Sequence, residues 1–506
     1  MRPVGWIQPF DGTGIARGAD GIARYLSRPP NLVAMLRHTV ERLPDAEAIV
    51  ELGDARVTYR QWWDRAARVA GGLRAAGVGP GDRVAIRLPN GLDWTLGFFG
   101  TLMAGAIAVP VNTRFAEPEV AYVVSDSGAR FVFEPGQPLP DGAPLAIAAA
   151  GPDDVAALFY TSGTTGFPKG AITTHANFLS NNETARRVIG LPTDAQGVRN
   201  LISVPLFHAT GCNSQLLITS ELGGTCVIMP AFNVQDFLRT IRDEHITMLV
   251  SVPAIYWLAI QQPNFADFDM SAIRWLAYGG SPIAPALVHQ IMGRFPNARV
   301  GNGFGLTETS SISTFLPHEY APTHADSVGF GAPVVDLDVF EPDPETGVGE
   351  LLVRGPNVVA GYWNKPEATA QAFVNGWLHS GDMARIDAQG FTYIVDRKKD
   401  MIIRGGENVY CVEVENALNA YPAVFEVAVV GVPDSMMGEK VGAVVVPVPG
   451  RTVDPAQLVA FARDHLADFK VPEYVAVRGE PLPRNPGGKI LKQSLRSTTE
   501  WGPRLR

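Results

Sequence analysis

The sequence predicts an α/β protein with a large N-terminal part of parallel sheets flanked by helices and a small α+β unit behind it. Three observations point there. Strand and helix patterns alternate from residue 31 to 111 and return after residue 224; the texture changes after Gly390 to closely spaced strands; and 506 residues exceed what one core usually fills. Residues 1–30 show no period and read as a flexible arm. RVTYRQ (Arg56–Gln61) opens a helix through a capping box, Thr58 preceding Gln61 by three, and Trp62, Ala66, Val69 and Leu73 follow at helical spacing. Gly77 ends that helix, and DRVAIRLP (Asp82–Pro89) reads as a strand. Trp94–Asn112 carries no charge and approaches the roughly 20 residues of a membrane span, but Gly97, Gly100, Gly105 and Pro110 favour a buried helix feeding a strand. TCVIMP (Thr225–Pro230), a helix near Val234–Glu244, ITMLVSVP (Ile246–Pro253) and IRWLAYGG (Ile273–Gly280) repeat the alternation. Beyond Gly390, FTYIVD, MIIRGG, VFEVAVVGVP and VGAVVVPV are strand-like, interleaved with helices near Val412–Asn419 and Pro455–His465. The charged turn DRKKD (Asp396–Asp400) is the natural junction, giving domains 1–396 and 397–506.

Composition narrows the partners. The chain is 46% apolar and 18% charged with a formal charge of −9, which argues against nucleic acid as a partner. Cys212, Cys226 and Cys411 show neither metal spacing nor a disulfide framework, as in a cytoplasmic protein. The N-terminus lacks the apolar core of a signal peptide, and no transmembrane segment is expected. Monomer and homodimer are both left open.

Phe159–Gly170 reads FYTSGTTGFPKG, with three glycines, the hydroxyls of Thr161, Ser162, Thr164 and Thr165, and Lys169. That is the composition of a phosphate cradle: glycines let backbone N–H groups face an anion, hydroxyls donate, and the lysine supplies charge. It is not the Walker loop, because Lys169 follows Pro168 and precedes Gly170 where that pattern needs Gly-Lys-Ser/Thr.

Further motifs follow in order: PLFHATG (Pro205–Gly211), GGSP (Gly279–Pro282), NGFGLTET (Asn302–Thr309), HSGDMARID (His379–Asp387), IVDRKKDMIIRGGENVY (Ile394–Tyr410) and PRNPGGKILK (Pro483–Lys492). In this order and spacing, from about Leu32 to the C-terminus, the chain resembles the adenylate-forming (ANL) superfamily of acyl-CoA synthetases. The resemblance implies a large N-terminal AMP-binding domain of stacked β-sheets with flanking helices and a small, mobile α+β C-terminal domain. It implies that a carboxylic acid is joined to the α-phosphorus of ATP, pyrophosphate leaves, and coenzyme A then takes the acyl group. Thr161, Ser162, Gly163, Thr164, Thr165 and Lys169 would hold the leaving phosphates, which accounts for the departure from Walker: the bond broken lies between α and β. Gly280, Ser281, Pro282, Asn302, Gly303, Phe304 and Gly305 would surround adenine, with Phe304 stacking. Thr307 would meet the α-phosphate and Glu308 would ligate Mg²⁺. Asp382 would take the ribose hydroxyls with Arg397 beside it, and Lys489 would bridge carboxylate and α-phosphate as charge builds. Lys399 would be the hinge of a rotation that exchanges Lys489 for the RGGENVY loop, where Gly405 and Gly406 admit the pantetheine arm; Phe469 and Lys470 would meet the nucleotide of CoA. Where the family often has proline this chain has Cys411, which implies a local loop change.

His208 takes the position of the family's gate beside the carboxylate; a general base is not needed, since a carboxylate is already ionised at neutral pH. The gate motif lacks the aspartate that would pair an α-amino group, and an unpaired ammonium in an apolar pocket is costly, which argues against an α-amino acid. Ala209, Thr210, Tyr256 and Ser310 complete the expected pocket, with mostly small neighbours; aryl, medium-chain and long-chain acids all remain open. Transfer to an amine or to a carrier-protein thiol is the alternative to CoA, and such a carrier would be a separate partner.

Overall fold

The computed structural model describes residues 6–147, 149–161, 168–194, 197–281, 283–484 and 490–506. Ser162, Gly163, Thr164, Thr165, Pro282 and Lys489 of the expected site lie outside the described residues.

The described chain falls into two compact units. The first runs to Leu337 and adds Leu352–His379 and Ala388–Phe391; the second comprises Asp338–Leu351, Ser380–Asp387 and Thr392–Arg506. In the first unit one sheet has the order Phe330–Gly331, Thr314–Leu316, Arg299–Phe304, Trp275–Gly279, Met248–Ser251, Arg199–Ile202, Thr225–Ile228, Glu47–Glu51, Arg56–Thr58. Its inner pairings are parallel, as between Trp275–Gly279 and Arg299–Phe304, and antiparallel pairs close both ends. A second sheet runs Ala129–Phe133, Arg83–Ile86, Ile107–Pro110, Val155–Thr161, Lys169–Thr174. The inner strands are short runs of apolar residues buried on both faces, which is what parallel strands between helices require.

The helices behave as their sequences dictate. Tyr59–Ala75 begins at the predicted box: the Thr58 amide donates to Gln61 Oε1 at 2.9 Å and the Gln61 amide to Thr58 Oγ1 at 3.3 Å. Gly77 ends it at φ +86. The uncharged stretch from Trp94 lies in helix Leu92–Met103, followed by strand Ile107–Pro110, and among the described residues no helix is long and apolar enough to cross a membrane. From Trp94 onward this helix is buried on every face because it is enclosed. Trp94, Phe98 and Phe99 are fully buried with Trp62, whose indole N–H donates to Thr95 Oγ1 at 3.0 Å. Each such ring contributes roughly 1.5–3 kcal/mol by leaving water. A Cβ on Gly100 would stand 2.6 Å from Val69 Cγ1, so the glycine sets how closely the two helices approach.

The described part of the N-terminal arm, residues 6–30, is docked rather than free. Ile15–Arg17 and Ala23–Tyr25 form a hairpin, Arg17 makes a two-pronged ion pair with Asp336 at 2.7 and 2.9 Å, and the Tyr25 hydroxyl bonds Thr184 Oγ1 at 2.9 Å. Three-residue strands are too short to show a period, and their partners lie far along the chain.

In the second unit a sheet runs Glu407–Val409, Ile402–Arg404, Gly438–Pro447, Val424–Asp434, with Tyr474–Val477 parallel to Gly438–Pro447. Helices Cys411–Asn419 and Pro455–Arg463 pack on a core of valines and leucines from this sheet, completing the expected α+β unit.

Candidate active site

The phosphate motif springs from a hairpin. Strands Val155–Thr161 and Lys169–Thr174 are antiparallel with Thr161 opposite Lys169, and Thr174 then caps helix His175–Ile189 by accepting from the Asn177 amide at 3.2 Å. A Walker loop joins a strand to a helix; here the lysine begins a strand of its own.

Lys169 is brought to the NGFGLTET motif through a residue that the sequence reading passed over. Its ammonium lies 5.0 Å from the centroid of the Tyr362 ring, and the Tyr362 hydroxyl donates to Glu308 Oε1 at 2.8 Å. Burial and the Glu308 carboxylate push the phenol well above its ordinary pKa, so it stays a donor. The segment Asn357–Trp363 that carries Tyr362 also binds backbone: the Val359 amide donates to Glu308 O at 2.9 Å and the Trp363 amide to Gly170 O at 2.8 Å. The signal in the sequence was GPNVVAGYW, an asparagine and a tyrosine set in an apolar, glycine-bearing run.

Thr307 and Glu308 sit in a single 3₁₀ turn, Thr307–Thr309. Ser310 and Ser311 behind it are left-handed at φ +53 and +113, unusual for residues with a side chain. Surrounding side chains hold this backbone. Asn357 donates to Thr309 O and Ile312 O at 3.2 and 3.1 Å, Asn213 to Ser310 O at 2.6 Å, and the Ser214 and Ser311 hydroxyls bond at 2.6 Å. Gly305 is required by the same crowding, since a Cβ there would fall 1.3 Å from Ser311 O.

Asn302 and Phe304 lie on strand Arg299–Phe304; Asn302 is buried and donates to Ser327 O at 3.1 Å, whereas Phe304 is partly exposed. Gly279 stands opposite Gly303, and a Cβ on it would be 2.0 Å from Gly303 O. Gly280 turns at φ +78 and Ser281 is exposed.

His208 precedes the short helix Ala209–Gly211, which runs into a π-helix, Cys212–Leu217, a wider turn that is common at functional sites. His208, Ala209 and Thr210 are half-buried, and the His208 ring lies 4.7 Å from that of Phe207. Tyr256 is fully buried, its hydroxyl donating to Ala277 O at 2.8 Å. Among the described residues, Ser310 Oγ and Asn213 Oδ1 are buried without a hydrogen-bond partner.

In the second unit Asp382 stands opposite Arg397, and Arg397 Nε meets Asp382 Oδ1 at 2.8 Å with the carboxylate 3% exposed. Lys399 is exposed, and partial desolvation of its ammonium, the largest cause, draws its pKa down. Cys411 donates its amide to the buried Asp396 carboxylate and its thiol to Asp400 O. A proline there would lack that N–H, so the departure at Cys411 has a local purpose. Gly405 and Gly406 are left-handed at φ +61 and +94. Lys470 makes a two-pronged ion pair with Glu413 at 2.7 and 2.8 Å and lies over the Phe469 ring, which packs on the unit's core.

The donor set suits Mg²⁺. Such an ion takes one or two carboxylates and completes its octahedron with phosphate oxygens and water. Glu308 has one oxygen bonded to Tyr362, and among the described residues no cluster of three or more acidic, histidine or cysteine side chains offers a protein cage instead.

Two family models match the chain. The model described as AMP-binding enzyme matches residues 36–363, and that of the AMP-binding enzyme C-terminal domain matches 413–489. A feruloyl-CoA synthase from Amycolatopsis sp. is 39% identical over 477 residues, covering 90% of this chain and 96% of that protein. The long-chain-fatty-acid–CoA ligase FadD13 of Mycobacterium tuberculosis is 37% identical over 500 residues, covering 92% and 98%. Among solved structures, o-succinylbenzoate coenzyme A synthetase from Bacillus subtilis, in complex with ATP and magnesium ion, superposes with a TM-score of 0.83 at 30% identity, covering 93% of this chain and all of that one. The chain belongs to the AMP-binding enzyme family, with the large and small domains of the adenylate-forming fold. It is an AMP-forming acid:CoA ligase, which uses ATP to activate a carboxylic acid as the acyl-adenylate and then passes the acyl group to coenzyme A.

Proposed function

We propose that the acid is an aryl acid carrying a hydroxyl on its ring. The observation that carries this is a pair of buried oxygens, Ser310 Oγ and Asn213 Oδ1, each on a residue 1% exposed and without a hydrogen-bond partner among the described residues; Asn213 lies on the π-helix that continues from Ala209–Gly211. A buried polar atom left unpaired costs about 1–3 kcal/mol, a cost that a ligand hydroxyl relieves and an alkyl chain does not. The identity to a feruloyl-CoA synthase supports the same class. In this reading His208 gates the pocket, with Tyr256 beneath as a rigid floor.

The residue roles belong to the same proposal. Thr161, Ser162, Gly163, Thr164, Thr165 and Lys169 hold the β- and γ-phosphates; Thr307 orients the α-phosphate; Glu308 binds Mg²⁺, which neutralises phosphate charge. Asp382 and Arg397 hold the ribose, and Lys489 stabilises the charge that builds between carboxylate and α-phosphorus. The small domain, 397–506, turns about Lys399 so that Gly405 and Gly406 succeed Lys489 for thioester formation, while Phe469 and Lys470 meet the CoA nucleotide. Three buried free cysteines suit a cytoplasmic protein.

The test is pyrophosphate release with ATP, Mg²⁺ and paired acids, each with and without CoA: cinnamate against its ring-hydroxylated form, and octanoate against palmitate. Hydroxylated aryl acids should give the highest kcat/KM, and Ser310→Ala should narrow their advantage over the unsubstituted acid by roughly tenfold. Faster turnover of palmitate than of every aryl acid would refute the assignment. An adenylate that gives a thioester only with a holo-carrier protein would move the acceptor from CoA to a separate partner.

A further inference from the structure

Lys169 and Glu308 carry opposite charges at the two ends of one tyrosine. The Tyr362 hydroxyl binds one carboxylate oxygen at 2.8 Å and the ring face receives the ammonium at 5.0 Å from its centroid, and no ion pair joins the two charges among the described residues. A lysine and a glutamate this close to a common neighbour would ordinarily pair and neutralise each other. The interposed ring prevents it: its electron-rich face holds the cation and its polar tip holds the anion.

The tyrosine is itself fixed. Tyr362 bridges Ala171 as an added antiparallel residue, its amide donates to Thr369 Oγ1 at 3.0 Å, and the ring packs 5.8 Å from that of Phe373. Its neighbours tie one side to the phosphate strand, Ile172 N to Gly361 O at 2.9 Å, and the other to the metal turn, Val359 N to Glu308 O at 2.9 Å. This segment thus ties the two motifs proposed to meet ATP to one another.

We infer that Tyr362 is a positioning residue for MgATP: its hydroxyl orients the Glu308 carboxylate so that the second oxygen is offered to the cation, and its ring presents Lys169 to the outer phosphates. This rests on the proposed roles of Glu308 and Lys169. A glutamate has three side-chain torsions to freeze on binding an ion, and a bond from a half-buried, fixed donor freezes them beforehand. The two halves of the side chain therefore have separable effects.

The experiment is calorimetric titration of the full chain without acid, so that nothing turns over, with ATP in excess EDTA and then with Mg²⁺ into the ATP-loaded enzyme. Tyr362→Phe keeps the ring and its packing on Phe373; it should weaken Mg²⁺ binding about tenfold and leave metal-free ATP within about twofold of wild type. Tyr362→Leu should also weaken metal-free ATP, by about threefold. Wild-type Mg²⁺ affinity in Tyr362→Phe, alongside a loss in Glu308→Gln, would overturn the inference and leave the site reading standing. Unchanged Mg²⁺ affinity in Glu308→Gln would remove both. A lowered melting temperature with unchanged metal and ATP binding would make Tyr362 structural only and overturn the inference as well.

Discussion

His175 supplies a pH dependence whose size follows from the structure. It is the first residue of helix His175–Ile189, is 4% exposed, and its Nδ1 accepts from the Leu32 amide at 3.3 Å. Burial lowers its pKa from 6.5 to about 4, opposed only by Asp154. The positive end of the helix dipole opposes a positive charge there as well. A depressed histidine pKa means the unfolded chain binds a proton that the folded protein refuses. Stability is therefore whole above the unfolded value near 6.5 and falls as pH drops toward about 4. Each pH unit inside that window costs about 1.4 kcal/mol, so going from about pH 7.5 to about pH 5 removes roughly 2 kcal/mol through this one side chain. The perturbation is His175→Asn, which keeps an acceptor for the Leu32 amide and removes the titration. Urea unfolding followed by tryptophan fluorescence at the two pH values gives four stabilities. The variant should be the less stable at the higher pH, through lost packing, and should recover roughly 2 kcal/mol relative to wild type at the lower. Other titrating groups cancel in this double difference. Parallel pH dependences of variant and wild type would show that His175 is protonated in the folded state, and the reasoning from burial would be wrong.

Two further outcomes separate the half-reactions. Lys489→Ala should lower acyl-adenylate formation by about 10²–10³-fold, the scale on which a single group stabilises developing charge, while ATP binding measured by calorimetry survives; unchanged pyrophosphate release would remove Lys489 from the chemistry. Gly406→Val has open space around it but φ +94, a conformation valine avoids, so it should distort the RGGENVY loop without crowding. Thioester formation should fall about tenfold while pyrophosphate release in the first turnover stays near wild type, and an equal fall in both would refute a role confined to CoA.

The residues proposed to bear on ATP were readable because each motif keeps its chemistry local. A glycine-hydroxyl-lysine loop, Thr307 beside Glu308, and Asp382 after Ser380-Gly381 carry their donors and acceptors within a few positions, and their order along the chain identified the family. The elements were readable for a similar reason: the Thr58–Gln61 box and the enclosed helix at Leu92–Met103 are written in neighbouring residues. Tertiary structure decided everything that depends on residues far apart in the chain. Tyr362 reaches Glu308 across 54 positions, and Asn213 holds the left-handed Ser310 across 97. The Arg17–Asp336 pair, 319 positions apart, docks an arm with no period of its own. Periodicity records which face of an element is buried, but not which side chain of a distant element it meets. That pairing is settled only when sheets and helices pack, and the orientation of the charged groups proposed to meet ATP belongs to it.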